Sequence, residues 1–145
     1  MMQNIMIGGL LLLITCGLHL GAMILVIHLL GLEGGPLRKS FRRIRAFPVA
    51  EVVLVMANIC MLEVLLWAFA YMALGEIKEL EAAFYFSMAT FTTLGYGDIV
   101  LDQSWRLLAS FQAATGIIMF GWTTAILMAV VQHSYFGRKL DNQGP

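Results

Sequence analysis

Two sets of residues in this chain are of types that could do chemistry. The first is the run Thr92-Thr93-Leu94-Gly95-Tyr96-Gly97-Asp98. Gly95 and Gly97 admit backbone angles that L-residues avoid, so the main chain is the reactive part of this run. Taken alone, Gly-Tyr-Gly is also compatible with an ordinary glycine turn. The second set is ionisable and sits in apolar surroundings: His19, His28, Glu51 and Glu63. If the helices carrying them are antiparallel, His19 comes level with Glu63 and His28 with Glu51. Such carboxylates are costly in a membrane and face a partner or water. Each pair is then either a contact that titrates near neutral pH, where His changes charge, or a static hydrogen bond that places the first helix. With His28 included, His19 and Glu63 form no recognisable metal or nucleophile constellation.

The elements that position these residues follow from composition. Of 145 residues, 60% are hydrophobic and 12% charged, far from the globular averages of roughly half and a quarter. Gly8 to Leu32, Val49 to Leu74 and Leu107 to Val131 each reach the roughly 20 residues that cross a hydrocarbon core of about 30 Å. Met1 to Met6 contain no Lys or Arg, and the following apolar run is too long for a signal-peptide core. The first stretch is therefore read as a mature helix. Cys16 and Cys60 lie inside apolar stretches and are read as small packing residues rather than a disulfide framework. Gly17 and Gly21 form a G-x-x-x-G pair suited to close helix approach.

Charge sets the expected orientation. Arg38, Lys39, Arg42, Arg43 and Arg45 crowd the first loop, and loops rich in Lys and Arg stay cytoplasmic. The N-terminus and the Gly75 to Glu81 loop then lie outside, and the tail with Arg138 and Lys139 inside. Leu37, Phe41 and Ile44 recur at helical spacing, as in an interfacial helix. That helix reads either as a cuff acting on a gate or as a topology signal on anionic headgroups. The expected organisation is an N-terminal helix segment over 1–34, a basic interfacial segment over 35–48, a pore domain over 49–134 and a short tail over 135–145.

Between the second and third spans, Glu81 opens a helix-forming stretch that is too short to cross a bilayer. It enters the membrane and turns back. Non-helical backbone at that depth is tolerated only when buried in protein or lining water, so Thr93 to Gly97 must face a pore or an interior. Here Thr92-Thr93-Leu94-Gly95-Tyr96-Gly97-Asp98 resembles the signature filter of potassium channels, with Leu94 where Val or Ile is commoner. The resemblance covers Val49 to His133 and leaves the first helix outside. It implies K+ coordinated by carbonyl rings at Thr93, Leu94, Gly95 and Tyr96, with Gly97 completing the filter. Tyr96 would brace the filter from behind, and Thr92, Tyr85 and Asp98 would support it. Ala89 stands where some relatives carry a Glu, and Phe86 where a Trp often bonds the filter Tyr. Tyr85 could still reach Asp98 through its hydroxyl.

The third span contains Gly116-Ile117-Ile118-Met119-Phe120-Gly121-Trp122-Thr123-Thr124-Ala125 and is similar to inner helices of simple bacterial potassium channels. Gly116 carries over as a gating hinge with Gly121 behind it. The competing reading is close helix packing. Ile117, Gly121, Thr124, Met128 and Gln132 share one helix face, suited to a cavity wall with Met128 and Gln132 as gate residues, although Met128 also suits a core.

The expected fold is an all-α membrane protein. Three transmembrane helices accompany a re-entrant pore helix (81–92), a filter (93–98) and an inner helix (104–134), assembled as a homotetramer around one pore. The expected function is passive K+ conduction, with K+ and membrane lipid as partners, no cofactor, no nucleic acid and no catalysis. The expected location is a bacterial inner membrane. Rival readings are a weakly selective cation channel, which the complete Gly95-Tyr96-Gly97 argues against, and a non-conducting accessory subunit.

Overall fold

The computed structural model describes residues 2–30 and 48–132. Within them the chain forms α1 (Met2–Leu30), α2 (Pro48–Ala73), α3 (Leu80–Phe91) and α4 (Arg106–Val131). The basic loop residues, Leu37, Phe41, Ile44 and the tail cations lie outside the described residues. The fold is all-helical, and α1, α2 and α4 are each long and apolar enough to cross a membrane. The helix α1 begins at Met2 rather than at Gly8, because Met2 to Ile7 are compatible with a helix and Asn4 is buried.

The three long helices pack in layers. At one end, Trp67 and Tyr71 of α2 meet Leu11 of α1, Phe86 of α3 and Leu108 of α4. In the middle, Val64, Phe91 and Met119 form a smaller core. At the far end, Val26, Val52, Met56, Ile126 and Val130 close the bundle. The side-chain amide of Asn4 contacts the carbonyl of Ser104, so the start of α1 lies at the same end as the loops flanking α3. Those loops are tied together, since the Asp102 amide donates to Glu76 Oε2 at 3.0 Å.

The buried face of α1 runs through Asn4, Gly8, Leu11, Thr15, His19, Ala22 and Val26, at steps of three and four that keep them on one side of a helix. That face carries Asn4, Thr15 and His19, whereas Leu10, Leu13, Leu18, Leu20, Ile24 and Leu25 are exposed. Polar-in, apolar-out is the pattern expected where lipid is the solvent. Indole Nε1 of Trp67 donates to the Thr15 hydroxyl at 3.2 Å, and that hydroxyl donates to the Leu11 carbonyl at 2.8 Å.

Two glycines are fixed by close approach. A Cβ on Gly8 would sit 2.7 Å from the ring of Phe111, so the crossing of α1 over α4 is at Gly8. Gly17 and Gly21 are exposed, and a Cβ on either would meet nothing within 4 Å, so the G-x-x-x-G pair makes no close approach among the described residues. A Cβ on Gly116 would sit 1.9 Å from the carbonyl oxygen of Phe91, the last residue of α3. Backbone cannot give way as a side-chain tip can.

Gly116→Ala is expected to destabilise the fold by roughly 1–3 kcal/mol, the usual range for overpacking. Gly121→Ala, where a Cβ would meet open space, is expected to leave stability unchanged or slightly raised. Thermal unfolding of the detergent-solubilised protein checks both. Equal midpoints for Gly116→Ala and the wild type would remove the close approach.

Candidate functional site

The helix α3 is short, with 12 residues, and its position rather than its length defines the site. Ser87 Oγ donates to the carbonyl of Val64 in mid-α2 at 2.6 Å. Gln112 of α4 donates through Nε2 to Ser87 Oγ at 2.6 Å and to the Ser87 carbonyl at 3.2 Å. Gln112 Oε1 in turn accepts from the Tyr71 hydroxyl at 2.7 Å. Ser87, Gln112 and Tyr71 are all fully buried. This chain of bonds locks α3 to both neighbouring helices, and every polar group in it has a partner. Sequence reasoning missed it, since Gln112 and Ser87 belong to no motif. The available signal was a lone Gln inside an apolar span, which must find partners in lipid.

Depth follows from where α3 stops. Phe91 abuts Gly116, ten positions after Arg106, so α3 ends about 15 Å along α4 at 1.5 Å per residue. That is close to the middle of a span about 30 Å deep.

The chain then leaves the helix without resuming regular structure. Amides of Thr92 and Thr93 bond back to Met88 and Thr90, and those of Leu94 and Gly95 both reach the Ala89 carbonyl, at 2.8 and 3.1 Å. The Thr92 hydroxyl donates to the Met88 carbonyl at 2.8 Å. The carbonyls of Met88, Ala89 and Thr90 in the last turn of α3 are thereby satisfied. From Thr92 to Gly97, by contrast, no carbonyl accepts a hydrogen bond among the described residues. Positive φ recurs at every second residue: 60° at Thr93, 52° at Gly95 and 79° at Gly97. Leu94 and Tyr96 between them do not share it. A φ that alternates in sign along the chain is a backbone path that an ordinary extended strand, with negative φ throughout, does not follow. Thr93 is β-branched, and holding it at positive φ costs of order 1–3 kcal/mol, typical of a conformation kept for function.

Around this loop, Leu94 is 55% exposed and Tyr96 69% exposed in the single chain. Ala89 and Phe86 are buried and line a cleft of about 380 Å³ beside the loop, together with Thr90, Thr93 and Gly95. Phe86 spends its ring on Tyr71, edge-on at 5.0 Å. At the far end of the loop, the Tyr85 hydroxyl donates to Asp98 Oδ2 at 2.7 Å.

The residues assigned to one face of the third helix stay together. Ile117, Gly121, Thr124, Met128 and Gln132 are all exposed, forming a continuous uncovered stripe on α4. Gly116 is instead buried against α3, which gives it a packing role, and the helix runs unbroken through both glycines. Of the ionisable residues, His19 and Glu63 meet: Nδ1 lies 2.9 Å from Oε1, with both side chains fully buried. The hydroxyl of Thr123 on α4 lies 3.3 Å from His19 Nε2. His28 is exposed near the end of α1, and Glu51 is half-buried in the first turn of α2.

The Tyr85–Asp98 bond carries a pH signature. Accepting from Tyr85 is the largest cause holding the Asp98 carboxyl below its ordinary value. The same bond, with Asp98's charge adding to it, holds the Tyr85 hydroxyl above its own. A lowered carboxyl pKa means the contact contributes fully above the ordinary aspartate range and is lost as pH falls through the lower folded value. A raised phenol pKa means it persists up to the ordinary tyrosine value of about 10 and is lost above it. Tyr85→Phe is expected to move the Asp98 titration, followed by carboxyl-carbon NMR, back up towards the ordinary value. An unmoved Asp98 titration would show that the bond is absent in solution.

Comparison with protein-family models gives a match to the ion channel family over residues 59–133. No curated protein matches the chain significantly, and no solved structure does. The matched residues hold most of α2, all of α3, the irregular loop and α4, while α1 precedes them. With three apolar spans and a family match over more than half its length, this chain is a multi-pass integral membrane protein that belongs to the ion channel family.

Proposed function

We propose that the chain is one subunit of a potassium-selective channel in which four copies surround a shared axis. The observation that carries this reading is the row of unpartnered carbonyls from Thr92 to Gly97, on backbone whose φ alternates in sign. In a membrane such groups are tolerated only against water or an ion they can coordinate. Carbonyl rings are the ligand type that replaces the hydration shell of K+. The carbonyls of Thr93, Leu94, Gly95 and Tyr96 are the K+ ligands in this reading, with Gly97 completing the filter.

One copy supplies only one wall of such a site, and the exposure of Leu94 and Tyr96 fits a surface covered by neighbouring copies. The helix α3 acts as the pore helix. Its C-terminal end, near mid-span, carries a partial negative charge of about half a unit, and four such ends would favour a cation there. The Tyr85–Asp98 bond, joining α3 to the loop's outer end, holds the filter open in place of a bond to Tyr96. The stripe of Ile117, Gly121, Thr124, Met128 and Gln132 lines the cavity below, with Met128 and Gln132 nearest the gate. Permeation is passive, involves no cofactor, and takes place in a bacterial inner membrane with the N-terminus outside and the C-terminus cytoplasmic.

Reversal potential tests the reading. Purified protein in planar bilayers, with K+ on one side and Na+ on the other, is expected to reverse close to the potassium equilibrium value. Gly95→Ala, which puts a Cβ on a residue at φ 52°, is expected to abolish current or selectivity. Native mass spectrometry is expected to give four chains of 16.1 kDa per complex. Clear current reversing near zero would leave a weakly selective pore. Absence of current together with a monomeric mass would overturn the channel reading in favour of an accessory subunit.

A further inference from the structure

We propose that His19, Cys60 and Glu63 form an intramembrane binding site for a thiophilic divalent cation of the Zn2+ type, bridging α1 to the channel module. Cys60 and Glu63 lie three residues apart on α2, on one face, and His19 faces them from α1. One ligand atom from each lies within 4.8 Å of the other two. Cys60 resembles a small packing residue in sequence, and its thiol is the third donor that His19 and Glu63 lack between them.

The hydrogen bonds present leave the cluster incomplete. His19 uses Nδ1 towards Glu63 Oε1 and Nε2 towards the Thr123 hydroxyl. The Glu63 side chain has no exposure, and its Oε2 has no hydrogen-bond partner among the described residues. A buried carboxylate oxygen without a hydrogen-bond partner is unfavourable in an apolar interior. A divalent cation supplies both the missing charge and the missing directed bond.

The donor set decides the kind of cation. One imidazole, one thiolate and one carboxylate suit Zn2+ and similar soft or borderline ions, whereas Mg2+ and Ca2+ take oxygen throughout. Bond lengths of about 2.0–2.3 Å in a tetrahedral site put ligand atoms about 3.5 Å apart, so the widest gap here closes by about 1 Å. Ligation through Nδ1 leaves the opposite ring nitrogen, Nε2, as an N–H donor to Thr123, the kind of outer bond that fixes a ligating imidazole. Cys60 is also reachable. It is half-buried, and with Thr123 it lines a crevice of about 360 Å³ between α2 and α4.

The site does not depend on potassium selectivity and is tested without current. Full-length protein in detergent is stripped with chelator, dialysed against Zn2+ and washed, and its metal content is read by elemental analysis. One Zn2+ per chain is expected, falling at least tenfold in Cys60→Ala, which leaves the His19–Glu63–Thr123 contacts in place, and likewise in His19→Gln. Loading with Co2+ is expected to produce a thiolate-to-cobalt absorption band that survives Cys16→Ser and is lost in Cys60→Ser. Wild-type protein retaining no Zn2+, undiminished Zn2+ in Cys60→Ala, or a Co2+ band lost with Cys16 instead would each overturn the site.

Discussion

A helix of 12 residues is about 18 Å long and cannot cross a bilayer. Placed beside two helices that can, α3 must stop at depth, and the chain must then return through a region where unsatisfied backbone is expensive. Three local features follow from that constraint. The last turn of α3 is closed by amides folding back onto Met88, Ala89 and Thr90. The Phe91 carbonyl is pressed against Gly116, where only a residue without Cβ fits. The buried Tyr71–Gln112–Ser87 chain anchors the middle of α3 with each polar group partnered. The carbonyls from Thr92 to Gly97 accept no hydrogen bond among the described residues, which is why they carry the functional reading.

The first helix obeys the same constraint from the other side. Its buried face carries Asn4, Thr15 and His19, and its lipid-facing side is leucine and isoleucine. With no hydrophobic drive between helices in lipid, association rests on close packing and polar contacts. Gly8 against Phe111 provides the first. Trp67 to Thr15 and His19 to Glu63 provide the second. α1 is thus built into the bundle over most of its length although it lies outside the family match.

Much of this was legible in the sequence, for identifiable reasons. Long apolar runs and Thr93-Leu94-Gly95-Tyr96-Gly97 are local signals, and a chain has to carry them contiguously. The pairing of His19 with Glu63 was legible because two ionisable residues at matching depth have few alternatives in lipid. What stayed hidden depends on side-chain geometry between helices. Gly17 and Gly21 carry the packing motif, yet the close contact is at Gly8, where the ring of Phe111 leaves no room for a Cβ. Cys60 read as a small hydrophobe because nothing in its neighbourhood along the chain shows that His19 comes to face it. Gln112 gave a signal, a lone amide in an apolar span, without naming its partners.

The division of labour along α4 bears on how the proposed pore would open. From Leu108 to Gly116 the helix is held by contacts to α3 and α1: Gln112 to Ser87, Phe111 to Gly8, Gly116 to Phe91. Motion there would tear the polar chain or drive backbone into backbone. Beyond Gly116 the buried side is still packed, Met119 against Val64 and Phe91, and Ile126 and Val130 against Val26, Val52 and Met56, but no further side-chain hydrogen bond ties α4 to α3 among the described residues. Gly121 has open space around it, and the stripe through Thr124, Met128 and Gln132 is uncovered. In the proposed pore, a bend of α4 would meet less steric resistance at Gly121 than at Gly116, where backbone already touches backbone. Thr123, two residues beyond Gly121, touches His19, so the same bend would pull on the His19–Glu63 cluster. The first helix thus touches the second half of α4 through the Thr123 hydroxyl and through the packed layer of Val26 with Ile126 and Val130.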